Sequence, residues 1–132
     1  MEDIKLPPNL ELVQNHGRVD WAVKSIWEYY MGWFRFESTT ELYPIPAQDV
    51  YADLARMAGS ENLIALGNNY LIQGEPVKTL HITEIALADD RKNASALAPR
   101  EQALLELLER AENGLRNDYE IYWLKSQLET TQ

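Results

Sequence analysis

Residues 59–88, GSENLIALGNNYLIQGEPVKTLHITEIALA, decide the fold. On both sides of Gly74-Glu75-Pro76 the apolar side chains recur at helical spacing, not in the alternation of a strand. Gly74 suits a helix end, because glycine takes the left-handed backbone that a C-terminal cap needs. Pro76 suits a helix start, where its missing N–H has no intrahelical partner to lose. The segment predicts helices over about Glu61 to Gln73 and Pro76 to Ala88, folded back on each other as an antiparallel hairpin. Ser60 is the expected N-cap of the first, and Glu75 stands beside the positive end of the second.

Outward from this hairpin the same punctuation continues. Ala47 to Ala58 reads as a helix opened at Pro46 and closed at Gly59. The turn DDRKN at 89–93 leads into a helix capped by Asn93 and ended by Asn113-Gly114, with Pro99 predicting a kink or a restart inside it. Asp118 to Leu128 reads as its antiparallel partner. Upstream, Val19 to Phe34 reads as a first helix, and 35–46, with two prolines, as a loop. Pro7-Pro8 makes residues 1–16 an extended arm ahead of a helical domain at 17–132. The expected fold is all-α: antiparallel helix pairs in a tetratricopeptide-like bundle of about six helices. It lacks the strict 34-residue self-similarity of a repeat array.

Composition narrows the function. With 132 residues, 45% hydrophobic and 25% charged, the chain can bury a core of its own. Its 12 Lys and Arg face 21 Asp and Glu, a net charge of −9, and no basic block offsets it. Phosphate backbones are bound by clustered cations, so neither nucleic acid nor an anionic membrane surface is an expected partner. No apolar run approaches a membrane span. The opening MEDIKLPPNLEL is acidic and broken by prolines, unlike a signal peptide, and the chain has no cysteine. A reducing, cytoplasmic setting is slightly favoured.

Chemistry is hard to find. His16 and His81 lie far apart, outside any H-x-H or H-E-x-x-H spacing, and zinc needs three or four converging ligands. His81, inside KTLHITEIAL, is expected to pack as a half-buried side chain, and His16 to sit in a loop. Glu101, Glu106, Glu109 and Glu112 interleave with Arg100 and Arg110 in the manner of a solvated helix face. No serine stands in a nucleophile elbow and no glycine-rich phosphate loop occurs. The expectation is no catalytic, metal or cofactor-binding residue, and no enzyme in this chain alone.

One segment stands out. SIWEYYMGWF at 25–34 holds five rings in ten positions. At 3.6 residues per turn, Val19, Val23, Ile26, Tyr30 and Trp33 form one stripe, and Trp27, Met31 and Phe34 form another beside it. Burying a large apolar side chain contributes about 1.5–3 kcal/mol, so this girth asks for cover from the fold or from a partner. DYEIYWLK at 118–125 has the same character. Tyrosine and tryptophan favour interfaces, which makes Trp27, Tyr30, Trp33, Phe34 and Tyr43 the candidate residues of a homodimer interface. The rival is a tetratricopeptide-like hetero-interaction module that reads a peptide in a groove near Asn68, Asn69 and Lys78.

GRVDWAVKSIWEYYMGWF (17–34), LYPIP (42–46) and YADLARMAGSENLI (51–64) together resemble the dimerization domain of alkyl sulfatases of the metallo-β-lactamase superfamily. That family carries a Y-x-G-W-F motif, then L-x-P-x-P, then a helix ending in A-G-G. IKLPPNLE (4–11) is similar to its leading segment, LIQGEPVKTLHITEIALADDRKNASAL (71–97) to its central helices, and LLERAENGLRNDYEIYWLKSQL (107–128) to its close. Arg35-Phe36-Glu37-Ser38 replaces the family's Asp-Gly-Asn-Pro turn. The resemblance implies a non-catalytic homodimerization domain, partnered in its parent with a zinc-dependent hydrolase catalytic domain. The H-x-H-x-D-H ligands of that zinc domain are not in this sequence, so no metal or catalytic residue carries over.

Overall fold

The computed structural model describes residues 17–114 and 117–131, and the arm expected at 1–16 lies outside them. The described residues form six α-helices and no strand: α1 (Val19–Met31), α2 (Tyr51–Ala58), α3 (Ser60–Ile72), α4 (Pro76–Asp89), α5 (Ala94–Asn113) and α6 (Asp118–Glu129). α3 packs on α4, α4 on α5 and α5 on α6, while α2 lies against α4 and α3. The all-α fold of packed helix pairs follows as expected.

The pairing rests on small side chains. The inward face of α4 is Pro76, Thr79, Thr83 and Ala86, at helical spacing. Gly67 on α3 meets it so closely that a Cβ there would stand 3.7 Å from Thr83 Cγ2. Buried hydroxyls need partners. Thr79 Oγ1 donates to the Gly67 carbonyl across the helix pair at 3.0 Å, and Thr83 Oγ1 donates to the Leu80 carbonyl at 3.0 Å. Around this seam lie two apolar clusters. One joins Ala55, Leu63, Ala86 and Ala96; the other joins Leu104, Ala111, Ile121 and Leu124.

Several local expectations are corrected. α1 stops at Met31, short of Phe34, because Gly32 turns out of the helix at φ 79° while its N–H donates to the Glu28 carbonyl at 2.9 Å. The segment 47–58 begins as a 3-10 turn, Ala47–Val50, before α2 proper. The expected loop at 35–46 contains a second 3-10 turn, Thr39–Leu42, opened by a capping box. There Ser38 Oγ accepts from the Thr40 N–H, and Glu41 Oε1 accepts from the Ser38 N–H. Ser60 caps nothing: it is the first residue of α3, and its hydroxyl takes a bond from Asn93 Nδ2 at 2.9 Å. α5 neither stops nor restarts at Pro99; it runs unbroken from Ala94 with the proline ring buried. His81 is exposed, not half-buried, because the threonine face of α4 is the one that turns inward.

Asn93 does cap α5, its Oδ1 accepting from the N–H groups of Ser95 (3.1 Å) and Ala96 (3.2 Å). Since the same side chain also reaches Ser60, Asn93→Ala is expected to lower unfolding free energy by about 1–2 kcal/mol, read as a drop in urea midpoint. Asn93→Asp keeps the cap and should recover most of that loss.

Candidate self-association surface

No residue of α1 is buried. Tyr29 and Tyr30 are 82% and 79% exposed, Trp27 58% and Met31 52%, and Ile26 is bare as well. The exposure continues past Gly32: Trp33 and Phe36 stand in solvent, then Leu42, Tyr43 and Ile45, then Val50, Leu54 and Met57 along the entry and length of α2. Single exposed apolar residues are ordinary on a protein surface; a succession of this length, from 26 to 57, is not.

α1 is nonetheless tied at its first turn to α6 and at its last to the loop that follows it. Its first turn rests on α6, where Trp21 meets Tyr119 edge-on with ring centroids 6.1 Å apart, and Arg18 Nη1 reaches Glu120 Oε2 at 3.4 Å. The Arg18 guanidinium also lies 5.8 Å from the Trp21 ring centroid, a cation–π contact that ties the two anchors together. At the far end Arg35 pairs with Glu28, and the Arg35 N–H donates to Glu41 Oε2 at 2.6 Å. Glu41 thus fastens both the turn after α1 and the capping box. Rings also meet each other locally: Tyr29 edge-on to Tyr30 at 5.2 Å, and, tilted, Trp33 against Phe34 at 5.9 Å and Phe34 against Phe36 at 4.5 Å.

Of the five candidate interface residues, Trp27, Tyr30, Trp33 and Tyr43 stand exposed, and Phe34 is half-buried between Trp33 and Phe36. Ile26, Tyr29 and Met31 share that exposure on α1 itself, and Met57, 88% exposed, is the barest of the α2 residues. Their signal was present in the sequence as a second and third apolar side of one helix, but periodicity ranks stripes without saying which faces outward. Tyr119, Tyr122 and Trp123 form a smaller exposed group on α6.

Elsewhere, Leu71, Ile72, Gln102, Leu105, Glu106 and Glu109 line an open groove of about 440 Å³ between α3 and α5. Asn68, Asn69 and Lys78 are exposed, with Lys78 Nζ paired to Glu75 at 3.2 Å and set 5.6 Å from the Tyr70 ring centroid. Among the described residues no three His, Cys, Asp or Glu side chains gather to hold a metal ion. No described helix is long and apolar enough to cross a membrane.

Comparison with curated proteins and with solved structures returns no match. The family comparison does, along nearly the whole chain. Residues 1–127 match the model for alkyl sulfatase dimerisation, and a chain with its aromatic helix bare belongs to that family.

Proposed function

We propose that this chain is the homodimerization module of an alkyl-sulfatase-like hydrolase of metallo-β-lactamase fold. It joins two copies of a parent whose zinc-bearing catalytic domain lies outside this sequence. In this reading the module does no chemistry; it holds two catalytic domains in one assembly, and it engages neither nucleic acid nor membrane.

The observation that carries the self-association reading is α1. Isolated helices shorter than about 12–15 residues are marginal in water, and α1 has 13 residues with none buried. Only its first turn is packed within the chain, on α6, so the later turns call for cover from a partner. Rings of this kind bury about 150–250 Å² each, so Trp27, Tyr29, Tyr30, Trp33 and Phe36 together offer roughly 500–900 Å² of wet surface. A standard interface takes about 800 Å² from each partner. That ring area is comparable with what one partner contributes to such an interface, which supports the reading.

At micromolar concentration the chain is expected to sediment at twice its 15.2 kDa mass. A single monomeric boundary there contradicts the proposal. A second reading, a peptide-binding module, draws on the groove between α3 and α5; it requires a chain that stays monomeric until a partner is added, so the same run separates the two.

A further inference from the structure

Among the described residues Phe36 alone, glycines aside, adopts left-handed backbone, at φ 63°. A bulky aromatic residue is an outlier there, because its Cβ crowds the neighbouring carbonyl, and it stays only where its surroundings impose the conformation. A ring driven into the core would account for the strain. Phe36 is instead 77% exposed: its ring meets that of Phe34 at 4.5 Å between centroids and leaves most of its area in water.

The conformation is imposed by Glu41. Its two carboxylate oxygens reach either side of Phe36: Oε2 accepts from the Arg35 N–H at 2.6 Å and Oε1 from the Ser38 N–H at 3.0 Å. A carboxylate that holds two N–H groups three residues apart closes the turn between them, and its charge makes both bonds stronger than neutral ones. The Arg35 side chain pairs with Glu28, so the closed turn is also aligned with α1. Glu41 is fixed in its own place by the Thr39–Leu42 turn that carries it.

We infer that Glu41 is a positioning residue: it holds Phe36 in an unfavourable backbone state so that the ring extends the contact surface of the homodimer proposed above, on which this inference rests. The rings of α1 need no such device, because the helix presents them at its own spacing. Phe36 lies beyond the helix end at Gly32, where no regular structure orients a side chain, and the carboxylate supplies the orientation. Strain kept on an exposed ring is explained by what that ring touches in the assembly.

The test separates the ring from the clasp. Phe36→Gly takes up left-handed backbone freely and removes the ring. Glu41→Gln keeps the size of the side chain and leaves one acceptor oxygen for two donors. In sedimentation over a concentration series, each is expected to raise the dimer dissociation constant about tenfold. The double variant should associate no more weakly than Phe36→Gly alone, since a clasp with no ring to pose has nothing left to contribute. Amide exchange at Arg35 and Ser38 should quicken in Glu41→Gln, while the amide of buried Leu104 keeps the parent rate. Three results each overturn the inference and leave the homodimer standing: losses that multiply to about a hundredfold in the double variant, association of Phe36→Gly at the parent strength, or unchanged exchange at Arg35 and Ser38. Monomeric sedimentation of the unaltered chain overturns both.

Discussion

A chain carrying Trp27→Glu and Tyr30→Glu is expected to stay folded and to sediment as a monomer. Neither side chain is buried within the chain, so the helix bundle should survive the change: far-UV helicity should fall by no more than the contribution of α1. The dimer should not survive it. Aromatic hot spots at an interface contribute about 2 kcal/mol or more each, and a carboxylate placed among apolar rings adds the cost of burying charge. Two such sites weaken association on the order of 10³-fold, which moves a micromolar dimer to a millimolar dissociation constant, beyond the range of ordinary sedimentation. Trp27→Phe with Tyr30→Phe, which keeps most of the ring area, should sediment with the parent. A double-glutamate chain that still runs at twice the monomer mass would remove these rings from the interface altogether.

How much of this was legible beforehand depended on what kind of residue carried the information. Gly59, Gly74 and Pro76 act through their own backbone preferences and Asn93 through a side-chain cap on the next turn, none of which depends on distant neighbours, and the helices they bound fell where they were expected. Gly32 is of the same kind, yet the aromatic run Trp33-Phe34 continued the helical pattern past it and masked the stop. α4 misled for a different reason. Its inward face is threonine and alanine, so Leu80, Ile82, Ile85 and Leu87 sit only partly buried around a seam that hydropathy does not mark. An apolar neighbourhood in sequence therefore made His81 look packed when its side of the helix faces water. The interface candidates show the limit most directly. A sequence can reveal that a helix has more apolar girth than one stripe needs. Which rings remain bare is set by where the first turn is pinned, and the partners in that pinning, Tyr119 and Glu120, stand at the other end of the chain.

Leu104→Ala is expected to cost about 2–5 kcal/mol of unfolding free energy, the largest stability effect of any single change considered. Leu104 is 2% exposed and sits where α5 meets α6, in the cluster of Ala111, Ile121 and Leu124. Its neighbours are helix-borne and small or already packed, so the space left by the missing methyl groups cannot readily close. With a urea m-value of about 2 kcal/mol/M, the midpoint should fall by roughly 1–2.5 M. The consequence extends beyond the core, because α6 is also the platform on which Trp21 and Arg18 of α1 rest. Association stabilises the folded chain by mass action, so the parent midpoint should rise with protein concentration, and the double-glutamate midpoint should not. If core and interface are independent, the shift caused by Leu104→Ala is the same on both backgrounds to within about 0.5 kcal/mol. A larger loss on the dimeric background would mean that loosening α6 also loosens α1, placing the seat of α1 on α6 within the same cooperative unit as the interface it presents.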